Sequence, residues 1–182
     1  MALGKIFSKP QKKHLKNLVT SIIDFEGKHT ISKLNSVQLN GTDVSNDIKF
    51  IRNSNWEESD LLQQYRKFMK WQEGPSSVGI LAIDDTMIVK PTMTKKMEGL
   101  LYHYSHTKGA CTYGHCMVSS HYRIGNISIP YDFDYYLNEK VAEGVNQEFR
   151  SKIEIAGDLI KRFKPFGKEK VYVTMDSWYT SE

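Results

Sequence analysis

Two short apolar runs in this chain end on acids. Val78 to Thr86, VGILAIDDT, delivers Asp84, Asp85 and the hydroxyl of Thr86; Val171 to Tyr179, VYVTMDSWY, delivers Asp176. Carboxylates at the carboxyl ends of neighbouring parallel strands lie together, where open α/β sheets bind their ligands. Two such groups share divalent cations, and hard oxygen donors select Mg2+ or Mn2+, whereas His or Cys would favour zinc. Two ions about 3.5–4 Å apart activate an attacking oxygen and stabilise a leaving oxygen in phosphoryl transfer. A single aspartate at a strand end is more often a cap or a turn residue. The paired pattern, with a hairpin and a helix between its halves, shifts the reading to a metal site.

Such a site needs a sheet to present both acids. Val78 to Ile83 has apolar residues on both alternating faces, which predicts a central strand covered on both sides. Residues 87–110 read as irregular, with Pro91, Lys95-Lys96 and Gly99, and strand-like aromatics at Tyr102 and Tyr104. Cys116 to Tyr122 and Asn126 to Ile129 predict a hairpin turning around Gly125-Asn126. Pro130 stops its second strand or marks a sheet edge, and Tyr131 to Tyr136 reads as a loop. A helix is predicted over Val145 to Phe163, with Phe149, Ile153, Ala156, Ile160 and Phe163 forming one stripe. Pro165 and Gly167 break it, and Val171 to Met175 is the last strand.

Ahead of this α/β region, residues 1–75 read as all-helical, with residues 76–182 as the second domain and Gly74-Pro75-Ser76-Ser77 as the boundary. Residues 1–13 are a loose Lys-rich arm. Leu15, Leu18, Val19, Ile22 and Ile23 have helical spacing up to Gly27. A short helix around Thr30 to Leu39 ends at Asn40-Gly41, and Thr42 or Ser45 caps a helix from Val44 to Asn53. Ser54-x-x-Glu57 reads as a capping box for a further helix with Leu61, Leu62, Tyr65, Phe68 and Met69 inward. Short helices joined by a Gly turn suit a helix-turn-helix DNA reader, with Lys49 and Arg52 exposed toward phosphates or bases. The bland alternative is a small bundle with a solvated face.

Charge points the same way. Of the formal +4, residues 1–79 carry all the excess, with 12 Lys/Arg against 8 Asp/Glu, while residues 80–182 balance at 13 and 13. A polyanion partner belongs with the first part. No run approaches a membrane span and the N-terminus lacks a signal-peptide core, so a cytosolic protein without a membrane partner is expected. Cys111 and Cys116 form no disulfide framework. His103, His106, Cys111, His115 and Cys116 include zinc-ligand types, but their spacing fits no tight ligand pair. Tyr131, Tyr135, Tyr136, Trp178 and Tyr179 are candidates for stacking on extruded bases or lining a DNA channel, though such aromatics are more often core or rim. Lys90, Lys95 and Lys96 follow the first acids on an expected mobile loop, able to neutralise phosphates.

The segments ILAIDDT and VYVTMDSWYTS resemble the first and second acidic motifs of DDE transposases encoded by prokaryotic insertion sequences. The resemblance covers about residues 78–182, and the N-terminal helices match that family's DNA-binding region more loosely. The IDDT form with a following Lys90, and the DSWY form, recur in one branch of the group. The resemblance implies a ribonuclease-H-like core in the order strand, strand, strand, helix, strand. It also implies cut-and-paste transposition: metal-dependent cleavage and strand transfer on double-stranded DNA, at transposon ends and target. Two Mg2+ or Mn2+ ions, a nucleoid location, and a homodimer or larger synaptic assembly would go with it. Residue by residue, Asp84 matches the first catalytic and metal-binding aspartate because it directly follows the strand. Asp85 is a weaker metal candidate, since alternation points the two side chains oppositely. Asp176 matches the second aspartate, with Trp178 and Tyr179 beside it as DNA contacts. The third acid, a Glu on a later helix, has no counterpart: Glu182 follows Asp176 by only six residues. The chain is therefore expected to be C-terminally truncated and inactive by itself. The alternatives are a DNA-binding remnant without catalysis, and an unrelated metal-dependent nuclease of the same fold.

Overall fold

The computed structural model describes residues 6–72, 78–90, 97, 99–105 and 109–180. The chain divides into two compact units, Met1–Phe68 and Met69–Glu182. The division falls within a helix, and the expected boundary at Gly74 to Ser77 lies outside the described residues.

The first unit is helical: α1 Lys9–Asp24, α2 Ile31–Ser36, α3 Val44–Asn53, and α4 Glu58–Gln72, which runs on past the division. Helix α1 starts earlier than the apolar spacing predicts. Pro10 sits in its first turn, where its missing N–H costs nothing, and Ser8 N donates to Gln11 Oε1 at 2.8 Å. Asp43, and neither Thr42 nor Ser45, caps α3, accepting from Ser45 N at 2.8 Å. Ser54 is no N-cap, because α4 begins only at Glu58. Phe7, Leu18 and Phe50 are buried together, with Leu15, Trp56 and Leu61 packed against them. Beside this core Asp47 is wholly buried. It is bonded to His14 Nδ1 at 2.7 Å and accepts from Asn35 Nδ2 at 2.8 Å and Gln38 Nε2 at 2.9 Å. A buried carboxylate is tolerable only with such partners, and these tie α3 to α1 and to the α2 region.

The second unit is built on a mixed sheet: β1 Val78–Val89, β2 Leu101–Ser105, β3 Ala110–Ile124, β4 Ile127–Tyr136 and β5 Lys170–Met175, with α5 Glu139–Gly144 and α6 Lys152–Arg162 before β5. Strand β3 pairs antiparallel with β1, β2 and β4, and β5 lies parallel to β1. The sequence β1, β3, β4, α6, β5 is the expected strand-strand-strand-helix-strand order, and β2 and α5 are additions to it.

Four expectations change. Strand β1 does not end at the acids but continues through them to Val89, because β3 is long enough to pair with it from Gly79 to Val89. It is central in pairing, yet only its Gly79, Leu81 and Ile83 face is buried, while Val78 and Ile80 remain exposed. Tyr131 to Tyr136 is strand, not loop; β4 passes through Pro130, with a register shift at Ser120/His121 accommodating it. The helix expected over 145–163 is shorter, α6 Lys152–Arg162, and a separate α5 ends just before it at Gly144. Asn146 takes a left-handed φ of 55° after α5, and Ser151 starts α6 afresh with a capping box to Glu154. The buried stripe is accordingly Ile155, Ala156 and Leu159, whereas Phe149 and Ile153 are exposed.

Helix α6 packs on β3 and β4, burying the even-numbered residues of β3 from Cys116 to Ile124 together with Ile129 and Tyr131. Tyr122 is central to this layer. Its ring meets Tyr131, Phe163 and Phe166 edge-on, and its hydroxyl donates to Glu169 Oε1 at 2.6 Å. Gly79 makes room for that ring, since a Cβ there would come within 2.8 Å of Tyr122 Cε2.

Candidate active site

Asp84 and Asp85 stand mid-strand, with different surroundings. Asp85 continues the buried alternation of Leu81 and Ile83 and faces α6. Asp84 is exposed and falls on the alternate positions with Ile80 and Ala82. The parallel register pairs Ile83 with Met175. Asp84 and Asp176 are the residues that follow this last pair, Asp84 still within β1 and Asp176 just past the end of β5. Both carboxylates are exposed. Asp84 Oδ1 accepts from Asp85 N at 2.8 Å. Asp176 Oδ1 accepts from Ser177 Oγ at 3.1 Å and Trp178 N at 3.3 Å, which starts the 3-10 turn Ser177–Thr180.

Asp85 has other partners. Lys152 Nζ, at the start of α6, donates to Oδ2 at 2.7 Å, and Tyr179 Oη donates to Oδ1 at 3.1 Å. Cys116 Sγ lies 3.8 Å from Oδ2. Burial works against the Lys152 ammonium, but the bond to Asp85 outweighs it and lifts the pKa above the usual lysine value. Burial, and then the charge of Asp85, push the Tyr179 phenol far above its usual range. Burial also raises the Cys116 thiol, so this cysteine is a neutral, packed group. The Lys152 ammonium lies 5.6 Å from the Tyr136 ring centroid and 5.7 Å from that of Trp178, a cation–π arrangement.

The remaining candidates are dispersed. Lys49 and Arg52 are exposed on α3. Lys90 is at the end of β1 rather than on a loose loop, its N donating to Tyr113 O at 2.8 Å, while Lys95 and Lys96 lie outside the described residues. Trp178 is 52 % exposed, whereas Tyr179 is 6 % exposed and its hydroxyl faces Asp85. Tyr131 is likewise buried and Tyr135 exposed. His103 on β2 carries a buried Nε2 with no hydrogen-bond partner; burial, then the charges of Lys152 and His115, depress its pKa. Cys111 is exposed, Cys116 buried and both are free, and His106 lies outside the described residues. Among the described residues no three His, Cys, Asp or Glu side chains cluster as a metal set. Asp84 and Asp176, each following a residue of the last β1–β5 pair, are exposed hard oxygen donors, the donor type that Mg2+ or Mn2+ takes.

Lys152 is the residue that sequence reasoning missed. The signal was the Ser151-x-x-Glu154 capping box, which makes Lys152 the first residue of its helix; a helix drawn from Val145 places it mid-helix instead.

Among the described residues no helix is long and apolar enough to cross a membrane. Comparison with curated proteins and with solved structures finds no match. The family model described as DDE superfamily endonuclease matches residues 6–182, almost the whole chain. The acid-bearing mixed sheet is thus a ribonuclease-H-like core, and the chain belongs to the DDE superfamily of endonucleases.

Proposed function

We propose that this chain is a transposase of an insertion sequence, acting on double-stranded DNA by cleavage and strand transfer. The observation that supports the reading is the parallel register of β1 and β5, whose last pair, Ile83 and Met175, is followed on each chain segment by an exposed aspartate, Asp84 and Asp176. In this reading the two carboxylates hold Mg2+ or Mn2+, and α3 binds DNA through Lys49 and Arg52. The bound ions would supply charge neutralisation at the phosphodiester and activation of the attacking oxygen. Asp84 is fixed by its place in β1, paired there with Ser119 of β3, and Asp176 by the turn that its own Oδ1 organises. Rigid supports of this kind keep ligand geometry ready before substrate arrives.

The test is Mn2+ binding followed by electron paramagnetic resonance of the free ion, with plasmid relaxation as a companion assay. Asp84→Asn and Asp176→Asn should each weaken Mn2+ at least about tenfold. Any divalent-dependent relaxation of supercoiled plasmid should disappear with either substitution. Mn2+ affinity unchanged in both variants would refute the assignment.

A further inference from the structure

Asp85 is next to the proposed cation-holding pair but is committed elsewhere. An ammonium at 2.7 Å on Oδ2 and a phenol at 3.1 Å on Oδ1 occupy both its oxygens, and a cation would have to displace Lys152 to reach it. The other end of that network is the turn after β5. Beyond Met175 the chain has left the sheet. Tyr179 N donates to Asp176 O at 3.0 Å, closing the turn, and the Tyr179 hydroxyl then fastens it to β1. The side chain that closes this loop is buried, and the turn also packs on α6. Three elements therefore meet at one carboxylate: α6 through Lys152, the turn through Tyr179 and β1 through Asp85 itself.

We propose that Asp85, Lys152 and Tyr179 are positioning residues that pin the turn following Asp176 and so fix the place of the Asp176 carboxylate at the end of β5. Asp85 acts through Tyr179, and Lys152 acts through Asp85 by holding its Oδ2 toward α6 at 2.7 Å. A turn held only by its own backbone bond would leave the Asp176 carboxylate free to swing. Two hydrogen-bonded anchors on a packed strand remove that freedom. The inference rests on Asp84 and Asp176 being the cation-holding pair, yet its first readout needs no metal.

That readout is amide hydrogen exchange over residues 177–180, with residues 118–124 as an internal reference for global stability. Tyr179→Phe keeps the ring and removes only the hydroxyl. It should speed exchange over 177–180 about tenfold, leave 118–124 unchanged, and weaken Mn2+ by a similar factor although both cation ligands remain. Lys152→Met should do the same, and Lys152→Arg should restore both readouts. Wild-type exchange and Mn2+ affinity in Tyr179→Phe would overturn the proposal. So would an Asp85→Asn variant that loses Mn2+ as fully as Asp84→Asn while exchange over 177–180 stays slow, since Asp85 would then be a ligand. If Mn2+ ignores Asp84→Asn, the cation reading fails on its own, and the exchange data still decide whether the turn is pinned.

Discussion

The carboxylate of Glu169 is buried, yet it is held below the usual glutamate range. Burial pushes its pKa up, but the Tyr122 hydroxyl and the N–H groups of Phe166 and Gly167, at 2.6, 2.6 and 2.7 Å, outweigh that by stabilising the anion. A folded pKa below the unfolded value contributes stability that is present above about pH 4.5 and lost as pH falls through the folded value. Glu169→Gln should therefore flatten the loss of stability on acidification below about pH 4.5, measured by urea unfolding at a series of pH values. In the same network Tyr122→Phe should cost about 1–3 kcal/mol at neutral pH, because it leaves a buried charge short of one donor.

At the scale of elements, the close approach of β1 and β3 depends on Gly114. A Cβ there would clash with the Ile88 carbonyl and come within 3.0 Å of Val89 Cα. These are backbone atoms in paired strands and cannot swing aside. Gly114→Ala should destabilise the second unit by about 1–3 kcal/mol, read as a shift of the denaturant midpoint. Gly157 in α6 is the opposite case, since a Cβ there meets nothing within 4 Å. Gly157→Ala should be neutral or stabilising by up to about 1 kcal/mol in the same measurement. Arg162 of α6, and Arg150 just ahead of that helix, pair with Asp134 of β4 at 3.3 and 3.1 Å. Partly exposed pairs of this kind add little energy but limit sliding between the elements.

At the scale of the whole chain, the basic excess and the acid-bearing sheet belong to different parts of the sequence. Binding and catalysis should then separate under mutation. Lys49→Ala with Arg52→Ala should lower DNA affinity and reduce the slope of log affinity against log salt by about 2, near 0.9 for each lost phosphate contact. Asp84→Asn should leave that slope unchanged. Fluorescence anisotropy of a labelled duplex across a salt series measures both.

Much of the α/β core was legible from residues alone. Short apolar runs bounded by turn residues mark β3, β4 and β5 because burial is local to the strand, and the acids Asp84, Asp85 and Asp176 stand out as charge beside apolar sequence. The lengths of β1 and β4 were not legible, since a strand persists as far as its partner does, and the partner is remote in sequence. The start of α6 was written in Ser151 and Glu154, but an apolar stripe of the wrong phase masked it. The buried Asp47 reads as one more polar residue on a helix until His14, Asn35 and Gln38 close around it. By itself the sequence determined the type of chemistry, carboxylates delivered by strands. Only the tertiary structure decided which of two adjacent aspartates faces solvent and which is bound by Lys152 and Tyr179. That choice depends on which face of β1 the helix covers, and Lys152 lies 67 residues away from Asp85 along the chain.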